Sequence, residues 1–76
     1  MPKYKPVSGD KTITILCKEF GFIVTGQTGS HVRLSKLTKG GKVGTVIPRH
    51  KELKEGTLKG ILKLAKIDYN KFKEHY

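Results

Sequence analysis

The chain has 76 residues, and its 16 Lys and Arg against 6 Asp and Glu give a formal net charge of +10 at pH 7. A chain of this length folds as one domain with a single modest core, which argues against a deep substrate pocket and favours a site at the surface. A charge of this size attracts polyanions, and nucleic acid is the commonest partner of such a protein. The alternatives at this point are a charge that serves only solubility and an acidic membrane surface.

One cysteine cannot form an intramolecular disulfide, and no apolar run approaches the length that spans a membrane. The N-terminus is basic but leads into no signal-peptide core. The apolar helical stretches are needed for the core, which argues against binding to a membrane. We therefore expect a cytoplasmic protein without a membrane partner, in which residues 1–7 form a basic extended arm and residues 8–76 form a single domain.

The first predicted element is an amphipathic helix that ends at Gly21, with Ser8 or Asp10 as its N-cap. The β-branched run over residues 12–15 favours a strand instead. The apolar spacing decides for the helix, because i, i+3, i+4 and i+7 define one helical face. The residues on that face are Ile13, Leu16, Cys17 and Phe20.

Three strands follow in the prediction, and they span residues 22–25, 31–37 and 43–47. Residues 26–29 form the first predicted turn and residues 38–42 the second, and Pro48 closes the third strand. Such a succession indicates an antiparallel meander with one apolar face. That face needs a cover, which only the helices can supply.

Thr57 is the predicted N-cap of a second helix, and a short third helix is expected after Asp68 with Tyr69 and Phe72 as its apolar contacts. The second helix has the same apolar spacing as the first, at Leu58, Ile61, Leu62 and Ala65. The predicted fold is therefore α+β in the order α-β-β-β-α. It has a three-stranded antiparallel sheet, helices on one face, and a short extra C-terminal helix.

The candidate site lies on the second predicted strand, where side chains alternate between the two faces. If Val32 and Leu34 are buried, then His31 and Arg33 share the open face. An imidazole can transfer a proton near neutral pH, and a guanidinium can hold a phosphate. Ser30, just before the strand, either orients one of these groups or only serves the turn.

Acidic residues are absent between Phe20 and Lys51. Nucleases that use Mg²⁺ hold the ion with carboxylates, so we expect any phosphate chemistry here to need no metal and no other cofactor. We also expect no small-molecule ligand. A face that binds RNA without chemistry remains the alternative. The candidate RNA-binding residues are Ser30, Arg33, Lys36, Lys39, Lys42 and Arg49.

Several segments together resemble the HicA toxins, and the resemblance runs from about Ser8 to Phe72. The segments are Gly21-Phe22, Gly29-Ser30-His31, Val46-Ile47-Pro48-Arg49-His50, Gly56-Thr57-Leu58-Lys59-Gly60-Ile61-Leu62-Lys63 and the closing Phe72. The resemblance implies a small ribonuclease toxin with a fold like a double-stranded RNA-binding domain. It also implies that His31 is the catalytic histidine and that a HicB-type antitoxin binds and blocks the toxin.

The residues and the resemblance together predict a metal-independent endoribonuclease that cleaves mRNA. His31 would act as general base or acid while the ribose 2′-hydroxyl attacks the phosphodiester, and a second group such as His50 or water would complete the proton transfer. The alternative function is a double-stranded RNA-binding module with no chemistry. An adaptor for an acidic protein is a third class, which a toxin with an antitoxin would partly satisfy.

Overall fold

A computed structural model describes residues 4–76, so the first three residues of the predicted arm lie outside the described part. The elements follow one another as α1 (Gly9–Glu19), β1 (Ile23–Thr28), β2 (His31–Thr38), β3 (Gly41–Pro48), α2 (Glu55–Leu64) and α3 (Tyr69–Lys73). The strands form one antiparallel sheet in the order β1-β2-β3. The predicted α+β class, its element order and the short C-terminal helix are thereby confirmed.

Helix α1 begins after Ser8, whose Oγ accepts a hydrogen bond from the backbone N–H of Lys11 at 2.9 Å. This confirms the first of the two predicted N-caps. The predicted apolar face was only partly right. Leu16 is fully buried, but Thr12 and Ile15 replace the other predicted residues in the core, and Ile13, Cys17 and Phe20 are half-buried. The Thr12 hydroxyl tolerates burial because it donates to the Ser8 carbonyl at 2.9 Å.

The turn between β1 and β2 is Gly29-Ser30, so the predicted turn over residues 26–29 was wrong. A two-residue connection with a glycine at positive φ suits the twist of a hairpin, and Gly29 has φ of 58°. The strand therefore continues through Gly26 to Thr28. The second hairpin is also tighter than predicted, because Thr38 already pairs with Gly41.

Helix α2 begins at Glu55 with Lys54 in the N-cap position, so the prediction of Thr57 as N-cap was wrong. Lys54 offers no side-chain cap, but the Glu55 carboxylate lies in the first turn, where the helix dipole favours negative charge. The predicted apolar face of this helix is confirmed. All four of its residues are buried: Leu58, Ile61, Leu62 and Ala65.

One face of the sheet packs against the helices and forms the core. The sheet contributes Val32, Leu34, Val43 and Ile47, and the helices contribute Leu16, Leu58, Leu62 and Phe72. Residues 4–7 also join the body of the protein, because Val7 is buried and forms an isolated β-bridge with Leu53. Within residues 4–76 no helix is long and apolar enough to cross a membrane.

Candidate functional site

The sheet face turned away from the helices, here called the outer face, carries the predicted site. Val32 and Leu34 are buried on the helix side, whereas His31 and Arg33 are exposed, as predicted. Cross-strand partners share a face, so the register extends this surface over all three strands. The outer face consists of Ile23, Gly26, Thr28, His31, Arg33, Ser35, Leu37, Lys42, Gly44, Val46 and Pro48, of which Ser35 is buried.

Arg33 lies over the neighbouring strand at Gly26, its cross-strand partner. An ideal Cβ at Gly26 would lie only 2.6 Å from the Arg33 Nη2 atom, so the guanidinium occupies space that any other residue would fill. A register shift between Val24 and Gly26 turns Gly26 to the outer face. Arg33 forms no ion pair with any of the described residues, which leaves its guanidinium free to bind an anion.

His31 is the first residue of β2 and pairs with Thr28 on one side and Pro48 on the other. Its Cα lies about 7 Å from that of Arg33, because two residues of a strand span that length. The turn before it is held in place, since the Ser30 carbonyl accepts a hydrogen bond from the Arg49 N–H at 2.7 Å. His31 therefore stands on a fixed part of the sheet, beside an unpaired cation.

Helix α1 supports the same end of the sheet. The Gly9 N–H donates to the His50 carbonyl at 2.9 Å. No Cβ fits at Gly9, because it would overlap the Pro48 carbonyl oxygen. This close approach ties the start of α1 to the end of β3, directly opposite His31.

Arg49 is tied to an acidic residue that the sequence analysis considered only as an N-cap. Its Nε lies 2.7 Å from Asp10 Oδ1 and its Nη2 lies 3.4 Å from Asp10 Oδ2. The hydrogen bond from Arg49 holds the pKa of Asp10 below its usual value. Arg49 therefore forms an exposed ion pair within the protein, at the edge of the predicted site.

The predicted lysines separate in the structure. Lys42 lies on the outer face opposite Leu37. Lys36 lies on the helix side, with its Nζ 5.5 Å from the centre of the Phe22 ring. Lys39 lies in the second turn, about 25 Å from His31 along β2. Exposed Ser30 lies next to His31. The structure thus places Ser30, His31 and Arg33 together at one end of the outer face, with Arg49 beside Ser30. Lys42 lies on the same face toward its other end, and Lys36 and Lys39 lie apart from the group.

Other reactive side chains do not join this group. Within residues 4–76 no three His, Cys, Asp or Glu side chains come close enough to hold a metal ion. Cys17 is half-buried on α1, and burial raises the pKa of its thiol. His75 contacts α1 instead, with its Nδ1 atom 3.9 Å from Glu19 Oε1 and its ring against Phe20.

A protein-family model described as "HicA toxin of bacterial toxin-antitoxin" matches residues 9–67. The chain belongs to the HicA toxin family. No match was found among curated proteins or among solved structures. As a HicA toxin, the protein is one half of a toxin–antitoxin system and has an antitoxin partner. The matched HicA segment contains α1, the whole sheet and α2, and it leaves out the N-terminal residues and α3.

Proposed function

We propose that this HicA-family toxin is a metal-independent endoribonuclease that cleaves mRNA at the outer face. The observation that carries the proposal is that exposed His31 lies beside Arg33, which has no ion pair among residues 4–76, on a sheet without acidic residues. HicA toxins are generally ribonucleases, and the element order is consistent with a double-stranded RNA-binding-domain-like fold. Both facts support RNA as the substrate in the bacterial cytoplasm.

In the proposed mechanism His31 accepts the proton of a ribose 2′-hydroxyl. The 2′-oxygen then attacks the adjoining phosphorus and the bond to the 5′-oxygen breaks, which leaves a 2′,3′-cyclic phosphate. The leaving 5′-oxygen takes up a proton from water or from His50. The requirement for a 2′-hydroxyl restricts the reaction to RNA.

Arg33 supplies the electrostatic part of this mechanism. Negative charge grows on the non-bridging phosphate oxygens in the transition state, and a cation placed beforehand stabilises it. Arg33 lies two positions after His31 on the same strand face, so both can contact one phosphodiester. Lys42 and Ser30 would contact the RNA on either side, which agrees with their places around the outer face.

A HicB-type antitoxin is the proposed partner, and we propose that it covers the outer face. The positive charge that attracts RNA also steers an acidic protein to the same surface. Leu37, which is 83% exposed, and Val46, which is 40% exposed, add an apolar contact beside the charges. A toxin–antitoxin complex in which His31 remains open to RNA would refute this part of the proposal.

The test is cleavage of an end-labelled single-stranded RNA in EDTA by the wild-type protein and by His31→Ala. His75→Ala is the matched control, because it removes a histidine far from the outer face. We expect cleavage by the wild type and by the control but not by His31→Ala, with circular dichroism showing that all three are folded. If none of them cleaves while all bind RNA, the protein is a binding module instead.

A further inference from the structure

A second candidate site lies on the other side of the protein, in a cleft of about 350 Å³ between the N-terminal residues, α2 and α3. All three tyrosines of the chain line it, namely Tyr4, Tyr69 and Tyr76, and we call it the tyrosine cleft. Its volume is within the range of small-ligand sites. None of these tyrosines lies within the segment that matches the HicA family.

Two of the tyrosine rings are fixed by hydrogen bonds of their hydroxyl groups. The Tyr4 hydroxyl donates to the Leu53 carbonyl at 2.6 Å, and the Tyr76 hydroxyl donates to the Lys5 carbonyl at 2.9 Å. Burial, followed by the adjacent Tyr69 hydroxyl, raises the pKa of Tyr76. The cleft is therefore a preformed aromatic surface.

The third ring is covered by cations. The Lys59 Nζ atom lies 5.4 Å and the Lys73 Nζ atom 5.6 Å from the centre of the Tyr69 ring. Lys59 is paired with Glu55 at 2.9 Å. Lys73 is exposed and forms no ion pair among residues 4–76. An incoming group can displace these flexible ammonium groups from the ring without opening a cavity in the core.

We propose that the tyrosine cleft binds a nucleotide of a single-stranded nucleic acid, with its base on Tyr69 and its phosphate at Lys73 and Lys5. Bases stack on aromatic side chains, and lysines beside them neutralise the phosphates. An acidic peptide would use the lysines but not the aromatic surface, so the clustering of three rings favours a nucleotide. The proposal does not depend on catalysis at the outer face.

Intrinsic fluorescence gives a direct test, because the chain has no tryptophan and all its tyrosines line the cleft. The wild-type protein is titrated with AMP and with a fluorescein-labelled oligo(dA) of about ten nucleotides, within the site sizes of single-strand binders. The DNA lacks the 2′-hydroxyl and so resists the proposed cleavage. N-acetyltyrosinamide corrects for light absorbed by the bases. We expect both ligands to quench the tyrosine fluorescence to saturation.

Variants of the lysines and of Tyr69 distinguish the contribution of base stacking from that of the overall charge. Lys73→Glu should weaken quenching, whereas Lys71→Glu, the same change on the same helix but facing another groove, should not. Tyr69→Leu should weaken oligonucleotide binding, measured by anisotropy, roughly five- to 150-fold.

Three outcomes would overturn the proposal. Anisotropy that shows a bound oligonucleotide with unchanged tyrosine fluorescence would refute it and leave the outer-face function intact. Quenching by AMP alone would indicate a site for free mononucleotides instead. Equal effects of the two lysine variants would show that only the net charge matters.

Discussion

Gly26→Ala should displace Arg33 without harming the fold. The added Cβ would lie 2.6 Å from Nη2 and 3.3 Å from Cζ of Arg33. Ordinary contacts begin near 3.4 Å, so the guanidinium has to move by about 1 Å, and a misplacement of that size near a reacting group can cost about 100-fold in rate. The backbone of Gly26 has no positive φ, so alanine should leave the unfolding free energy unchanged or raise it by about 0.5 kcal/mol.

The assay is RNA cleavage under single-turnover conditions, together with thermal unfolding. Gly44→Ala is the matched control on the same face, because its Cβ would meet only the Leu34 carbonyl oxygen at 3.5 Å. In the Arg33→Ala background, Gly26→Ala should have no further effect, since the residue it displaces is gone. If Gly26→Ala is fully active while Arg33→Ala is inactive, the rate of RNA cleavage does not depend on the position of the guanidinium.

Three further predictions concern charge and packing. Asp10→Asn releases Arg49 from its ion pair, so RNA binding should tighten. The slope of log binding constant against log salt concentration, measured by anisotropy, should steepen by about 1. Gly9→Ala forces a Cβ against the Pro48 carbonyl and should lower the unfolding free energy by about 1–3 kcal/mol in urea titrations. Phe72→Ala leaves a cavity at a fully buried position and should lower the unfolding free energy by about 3–5 kcal/mol in the same assay. Phe72 lies outside the segment that matches the HicA family.

Each of these variants has a control in the chain. Glu74→Gln removes an exposed carboxylate elsewhere and should leave the salt slope of RNA binding unchanged. Gly60→Ala meets no atom within 4 Å inside α2 and should raise stability by about 1 kcal/mol. Leu64→Ala truncates a 60% exposed side chain and should change stability little. If a control variant has the same effect as the variant it is paired with, the effect does not come from the local contact.

The sequence predicted the open face of β2 well, because strand alternation follows directly from the order of apolar and polar residues. The same rule already separates Lys36 from His31 and Arg33, and grouping Lys36 with them relied on charge alone. The pairing of Asp10 with Arg49 could not be predicted, because they lie 39 positions apart and only the packing of α1 on β3 brings them together. The first turn was misjudged because two glycines compete, and local propensity does not tell which one the sheet register will use.

The tyrosine cleft could not be predicted from the sequence either. Tyr69 was predicted only as an apolar contact of the third helix, and the three tyrosines come from opposite ends of the chain. The segment that matches the HicA family contains none of the three tyrosines. They come together because the N-terminal residues and α3 fold back over α2.

The central place of β2 has a consequence for control of the toxin. A strand with hydrogen-bonded neighbours on both sides opens only when the whole sheet does, so the residues it carries do not switch by local unfolding. If β2 carries the proposed catalytic site, that site is competent as soon as the chain has folded. Inhibition of the proposed site would then require a partner that binds the toxin as soon as it folds, rather than a change in the fold of the toxin.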